Sequence, residues 1–217
     1  MQFTPSHPTQ INCRQTYKSY ICVYEIMKEL RHRDTEAVVE LVMKNDKGML
    51  HDIATWCEAT GNELISSEPG GEGEVRCLVQ KGEMQGGREK KSMTVVISTA
   101  SLEKVAYPFD RALGATVLGM EVNMIFEGAG VRLLKRGYRS KLSGFWGGCF
   151  TGVVEGVMKK EIGWPLPRDA IEILEELGAK FYVCGPSLVG YGVREEELVV
   201  RDFVTGATLT WVKLLAE

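Results

Sequence analysis

Leu177-Gly178-Ala179-Lys180-Phe181-Tyr182-Val183-Cys184-Gly185-Pro186-Ser187 reads as the end of a helix, a short apolar strand over Lys180–Cys184, and a turn into another helix. Pro186 suits the first helical turn, where a missing N–H costs nothing. Working outward, Asp169 is placed to cap a helix over Ala170–Leu177, and a strand over Leu198–Phe203 and a helix over Thr208–Leu215 follow. Upstream, the continuous apolar run Met93–Thr99 leads through a helical region ending near Met120 into a strand over Glu121–Phe126. A helix around Val131–Arg136 and a loop rich in glycine (Gly144, Gly147, Gly148, Gly152, Gly156) fill the gap. Continuous apolar strands alternating with helices predict a parallel sheet in an open, flavodoxin-like α/β domain.

The N-terminal part has a different pattern. Ile11–Gln15 is a short strand, and Ser19 precedes a helix with Val23, Ile26, Met27 and Leu30 on one face. Glu36–Lys44 reads as a buried strand, and Leu50, Ile53, Ala54 and Cys57 form a second helical stripe closed by Gly61. Strands over Leu64–Glu68 and Glu74–Lys81 flank Pro69-Gly70-Gly71-Glu72-Gly73. The order β-α-β-α-β-β predicts a two-layer sandwich with one open sheet face. Glycine and charge concentrate again just after it, which gives domains over 1–82 and 92–217 joined by a linker over 83–91.

The chain has 217 residues, 44% apolar and 25% charged, enough to bury these cores and too apolar for a disordered protein. A formal charge of -3 gives no electrostatic case for nucleic acid. No stretch is long and apolar enough for a membrane span, and the N-terminus lacks the pattern of a secretory signal, so the expected location is the cytoplasm.

In that compartment the six cysteines are read as thiols. They lie at 13, 22, 57, 77, 149 and 184, with no Cys-x-x-Cys spacing and no histidine at zinc-binding intervals, so no metal is expected. Cys57 continues a helical apolar stripe, and Cys77 and Cys13 alternate with apolar strand residues, so these three read as core. Cys22 falls in the first turn of its helix, where unpaired N–H groups favour a thiolate, although a small residue there also suits the core. Cys184 ends a parallel strand just before a helix, the edge at which open α/β sheets bind ligands; a buried strand cysteine would occupy the same position. Cys149 lies in the glycine-rich loop, able to approach a site or simply exposed.

Two other patterns are weaker. Gly128-Ala129-Gly130-Val131-Arg132-Leu133 follows a strand like a dinucleotide fingerprint, but Leu133 stands where the third glycine belongs. The charge clusters Lys159-Lys160-Glu161 and Arg194-Glu195-Glu196-Glu197 read as solvated faces.

Cys22 at the first helix, Asp52-Ile53 in the second, and Gly61-Asn62-Glu63-Leu64 leading to strands that end at Val79-Gln80-Lys81-Gly82 resemble the TusA/SirA-like sulfur-carrier family. That family carries sulfur as a persulfide on a Cys-Pro-x-Pro cysteine, whereas this chain reads Cys22-Val23-Tyr24-Glu25, without either proline. Glu25 also sets a negative charge near the thiol. Further on, Gly119-Met120-Glu121-Val122-Asn123-Met124-Ile125-Phe126, Leu133-Leu134, Leu177 to Cys184, and Gly192-Val193 before Glu196-Glu197-Leu198 are similar to the DsrE/DsrF-like family of sulfur-relay proteins. The resemblance implies that Cys184 holds transferred sulfur, and that the protein forms homo-oligomers, often trimers. It also implies rhodanese-like or TusA-like donor and acceptor partners. A thiolate that attacks a sulfane sulfur needs no cofactor. The expected function is sulfur relay through Cys184, with Cys22 as a second carrier position. The alternative from another class is a non-catalytic docking and assembly protein, and a third is a thiol peroxidase resolved by Cys149.

Overall fold

A computed structural model of the protein describes residues 8–83, 91–144 and 147–216. The expected linker over 83–91 lies almost wholly outside these residues. The chain divides into two compact units, Met1–Glu89 with Met158–Trp164, and Lys90–Val157 with Pro165–Glu217.

The first unit runs β1 (Thr9–Cys13), α1 (Ser19–Leu30), β2 (Val38–Lys44), α2 (Lys47–Thr60), β3 (Glu63–Pro69) and β4 (Glu74–Gln80), the order expected from the sequence. The strands form one mixed sheet in the order β1-β2-β4-β3, with β1 parallel to β2 and the other pairs antiparallel. Alternation sends Val39, Leu41 and Met43 of β2, and Val75, Cys77 and Val79 of β4, into the core against the helices. Gln10, Glu40 and Arg76 stand on the other face, where Gln10 donates to Glu40 at 2.6 Å and Arg76 pairs with Glu40 at 3.7 Å. Asp46 caps α2 by accepting the Met49 N–H at 2.9 Å, and Gly61 ends it in the left-handed region at φ 78°.

The second unit holds an all-parallel sheet of β5 (Ser92–Ile97), β6 (Glu121–Phe126), β7 (Lys180–Cys184) and β8 (Val204–Gly206), in that order across the sheet. The helices are α3 (Leu102–Val117), α4 (Gly147–Val157), α5 (Pro167–Glu176), α6 (Gly185–Gly190) and α7 (Thr208–Ala216). Both faces of the sheet are used, as the continuous apolar runs require. On one, Phe126 packs between Phe109 of α3 at 6.3 Å and Phe181 of β7 at 6.1 Å. On the other, Trp211 of α7 meets Tyr182 edge-on at 6.3 Å.

Four local expectations are corrected. The glycine-rich stretch expected as a loop forms α4, although glycine costs a helix up to about 1 kcal/mol per residue. The turn after β6 is a 3-10 helix over Gly128–Leu134. Helix α5 starts at Pro167 with Leu166 as its cap, so Asp169 lies inside the first turn. The apolar run Leu198–Phe203 is not a strand: its buried residues Leu198 and Val200 face the interior, and the Val199 N–H donates to the Leu134 carbonyl. The strand follows at Val204.

The loops at the carboxyl ends of β5 and β6 meet backbone to backbone. A Cβ on Gly130 would stand 2.0 Å from the Ile97 carbonyl oxygen, so only glycine fits there. Gly130→Ala is therefore expected to cost about 1–3 kcal/mol in a urea melt. Gly114, inside α3 with open space around its missing Cβ, is the contrast: Gly114→Ala should raise stability by about 0.5–1 kcal/mol. Equal effects for the two would contradict this reading of the packing.

Candidate functional site

Cys184 is the last residue of β7 and the cap position of α6, with extended backbone at φ -73° and ψ 109°. Alternation puts its side chain on the same sheet face as Tyr182, and it is partly exposed. Its lateral partner in β8 is Gly206, which has no side chain to cover it. Gly185 lets the chain turn close beside β8, since a Cβ there would touch the Thr205 methyl at 3.3 Å. Ser187, one turn into α6, accepts the Gly128 N–H at 2.8 Å and ties the loop after Cys184 to the loop after β6. The Gly128-Ala129-Gly130 sequence serves that close approach and opens a 3-10 helix. The Ser187 tie was not legible in the sequence, because it joins residues 59 apart.

The other cysteines sort by burial. Cys149 is exposed on α4. Cys22 is the fourth residue of α1 and 0% exposed. The helix start itself is occupied by Ser19, whose hydroxyl donates to Asp52. The neighbouring Cys13, then burial, push the Cys22 thiol far above the ordinary thiol range, so the expected helix-start activation is overridden. Burial likewise pushes Cys57 up to about 12 and Cys77 to about 11. The structure thus brings Cys22 together with Cys13 in the first unit and places Cys184 in the second. Among the described residues, no group of three or more His, Cys, Asp or Glu side chains is arranged to hold a metal ion.

Two outcomes follow. In native protein a thiol reagent should label Cys149 and Cys184, while Cys22, Cys57 and Cys77 label only on unfolding; peptide mapping reads the order. Cys57 and Cys77 are held protonated in the folded chain, so above the ordinary thiol pKa of about 8.5 the unfolded chain binds fewer protons. Stability is full below that pH and is lost as pH rises through about 11 and about 12. The urea midpoint should fall on the alkaline side, less steeply in Cys57→Ala, and identical profiles would contradict the assignment.

Among the described residues, no helix is long and apolar enough to cross a membrane. No curated protein matches the sequence. Residues 91–217, more than half of the chain and the whole of the parallel sheet, match the DsrE/DsrF-like family, and that membership points to involvement in sulfur relay. The N-terminal β-α-β-α-β-β region is matched by no family, and its element order is consistent with a TusA-like domain. By its C-terminal unit, with Cys184 at the carboxyl edge of the sheet, the chain belongs to the DsrE/DsrF-like family.

Proposed function

We propose that the protein is a sulfur-relay carrier that holds sulfane sulfur on Cys184. The observation that carries this reading is the position of that thiol: partly exposed, at the carboxyl edge of a parallel sheet, beside a glycine strand partner. The Cys184 thiolate attacks the outer sulfur of a donor persulfide, R–S–SH. The donor S–S bond breaks as the new one forms, leaving Cys184–S–SH and the thiolate RS⁻. An acceptor thiolate then attacks the outer sulfur of Cys184–S–SH and regenerates the Cys184 thiolate. Each step exchanges one S–S bond for another, so no oxidant is consumed. Cys22, sealed in its core, takes part in such exchange only if α1 opens. The donor and acceptor are thiol proteins of the rhodanese-like or TusA-like kind, and the carrier acts as a homo-oligomer.

A second reading, assembly without sulfur chemistry, is favoured by the apolar residues Leu209, Val212 and Leu215 exposed along α7. One experiment separates the two. Reduced protein is incubated with a persulfide donor and mapped by mass, each bound sulfur adding about 32 Da that a reductant removes. The carrier reading predicts addition at Cys184, and at least a tenfold loss of loading in Cys184→Ser with an unchanged circular dichroism spectrum. Equal loading of the variant, or none in either protein, leaves the assembly reading.

A further inference from the structure

Electrostatics single out one segment of the second unit. From Gly128 to Val154 the sequence holds no Asp or Glu, and five cations, Arg132, Lys135, Arg136, Arg139 and Lys141, fall within ten of those residues. Elsewhere Arg14, Arg33, Arg76, Arg168 and Arg194 each pair with a glutamate. In the segment itself Lys135 reaches Glu197 at 3.5 Å, while among the described residues no carboxylate pairs with Arg132, Arg136, Arg139 or Lys141, and all four are exposed. The row is held by main chain. The Arg136 N–H donates to the Glu197 carbonyl at 2.8 Å, the Tyr138 N–H to the Lys135 carbonyl at 3.0 Å across Gly137 at φ 79°, and the Leu102 N–H to the Lys141 carbonyl at 3.0 Å. The Arg132 guanidinium lies 4.8 Å from the centre of the Tyr138 ring, which leaves its charge in place and restrains its reach. The two ends of the segment, the turn after β6 and the start of α3, lie at the carboxyl edge of the parallel sheet, the edge at which Cys184 ends β7.

We propose that Arg132, Arg136, Arg139 and Lys141 form a docking surface for the acidic face of a partner thiol protein, which they steer toward Cys184. On the sulfur-relay reading, on which this inference rests, the partner then has a definite chemistry: Asp and Glu flank its sulfur-bearing cysteine. Exposed head groups spread along ten residues form an extended row and not an enclosed cage, so they fit a protein segment better than a small anion. A polyanion of uniform charge is disfavoured. The run Arg194–Glu197, with one cation against three carboxylates, borders the row where the Arg136 N–H meets the Glu197 carbonyl, and Glu195 and Glu196 are exposed there. A protein surface can set carboxylates against the arginines and its own cations against that acidic border; a nucleic acid or an anionic bilayer cannot. Steering of this kind raises encounter rates about 10- to 1,000-fold at low salt and is lost as salt screens it.

The test uses the full reduced chain and two synthetic peptides of equal length with one central cysteine, flanked in one by Asp and Glu and in the other by Ser and Gln. For binding, the peptide cysteine is replaced by serine and affinity is read by fluorescence anisotropy at about 0.01 M and about 1 M salt, which shortens the screening length from about 30 Å to about 3 Å. The acidic peptide should bind at least about tenfold more tightly than the neutral one at low salt and lose that advantage at high salt. In the variant carrying Arg132→Gln, Arg136→Gln, Arg139→Gln and Lys141→Gln, all at exposed positions, the advantage should fall to within about twofold. For transfer, the peptides carry the cysteine as its persulfide, and peptide mapping follows sulfur onto Cys184. The acidic peptide should load it at least about tenfold faster, with the same loss in salt and in the variant. Equal binding of the two peptides by the native chain overturns the proposal even where the variant does not fold. So does a preference that the variant keeps, equal loading rates when both peptides load Cys184, or tighter binding of a thymidine oligonucleotide of equal charge or of phosphatidylglycerol vesicles. If neither peptide loads Cys184 while the acidic one still binds in this salt-dependent way, the docking surface stands and the relay reading is what fails.

Discussion

Close backbone packing at the carboxyl edge of the parallel sheet is the constraint on which the second unit depends. Gly130 lies against the Ile97 carbonyl with no room for a methyl group, which locks the loop after β6 to the end of β5. That loop in turn donates the Gly128 N–H to Ser187 and so fixes the start of α6. Cys184 directly precedes α6, on a strand whose Phe181 stacks on Phe126 at 6.1 Å. A thiol in that position is presented by rigid backbone, while glycine neighbours leave it reachable. Precise placement and access, which usually oppose each other, coexist here because the rigidity comes from main chain.

The first unit solves the opposite problem. Its cysteines are turned inward, Cys77 raised by burial, Cys57 by burial and then by its neighbours Cys77 and Glu58, and Cys22 first by its neighbour Cys13. At the start of α1 the Ser19 hydroxyl is bonded to Asp52, and Cys22 one turn on is buried.

Much of this was legible in the sequence, for physical reasons that differ between elements. Strands β6 and β7 fall on the expected residues because each is a short, mostly apolar segment set between glycines. Helix α2 was readable from its apolar stripe and from Gly61, whose capping role is local, while the Asp46 cap at its start was not singled out. Helix α4 was not, because its glycines signal a loop. The run Leu198–Phe203 misled because burial of Leu198 and Val200 produces an apolar pattern without a strand ladder. At the site, Cys184 could be singled out from its strand-end position. The burial of Cys22 could not, since a helix start says nothing about which way the fourth side chain points.

The central claim is that sulfur passes through Cys184, and the most direct measurement is a single-turnover chase. Protein loaded with radiolabelled sulfane sulfur is freed of donor, mixed with an excess of acceptor thiol, and quenched at intervals for peptide mapping. The account predicts that label starts on the Cys184 peptide and moves to the acceptor with one rate, leaving the free thiol behind. Label that never resides on Cys184, or that stays there while the acceptor gains none, would contradict it.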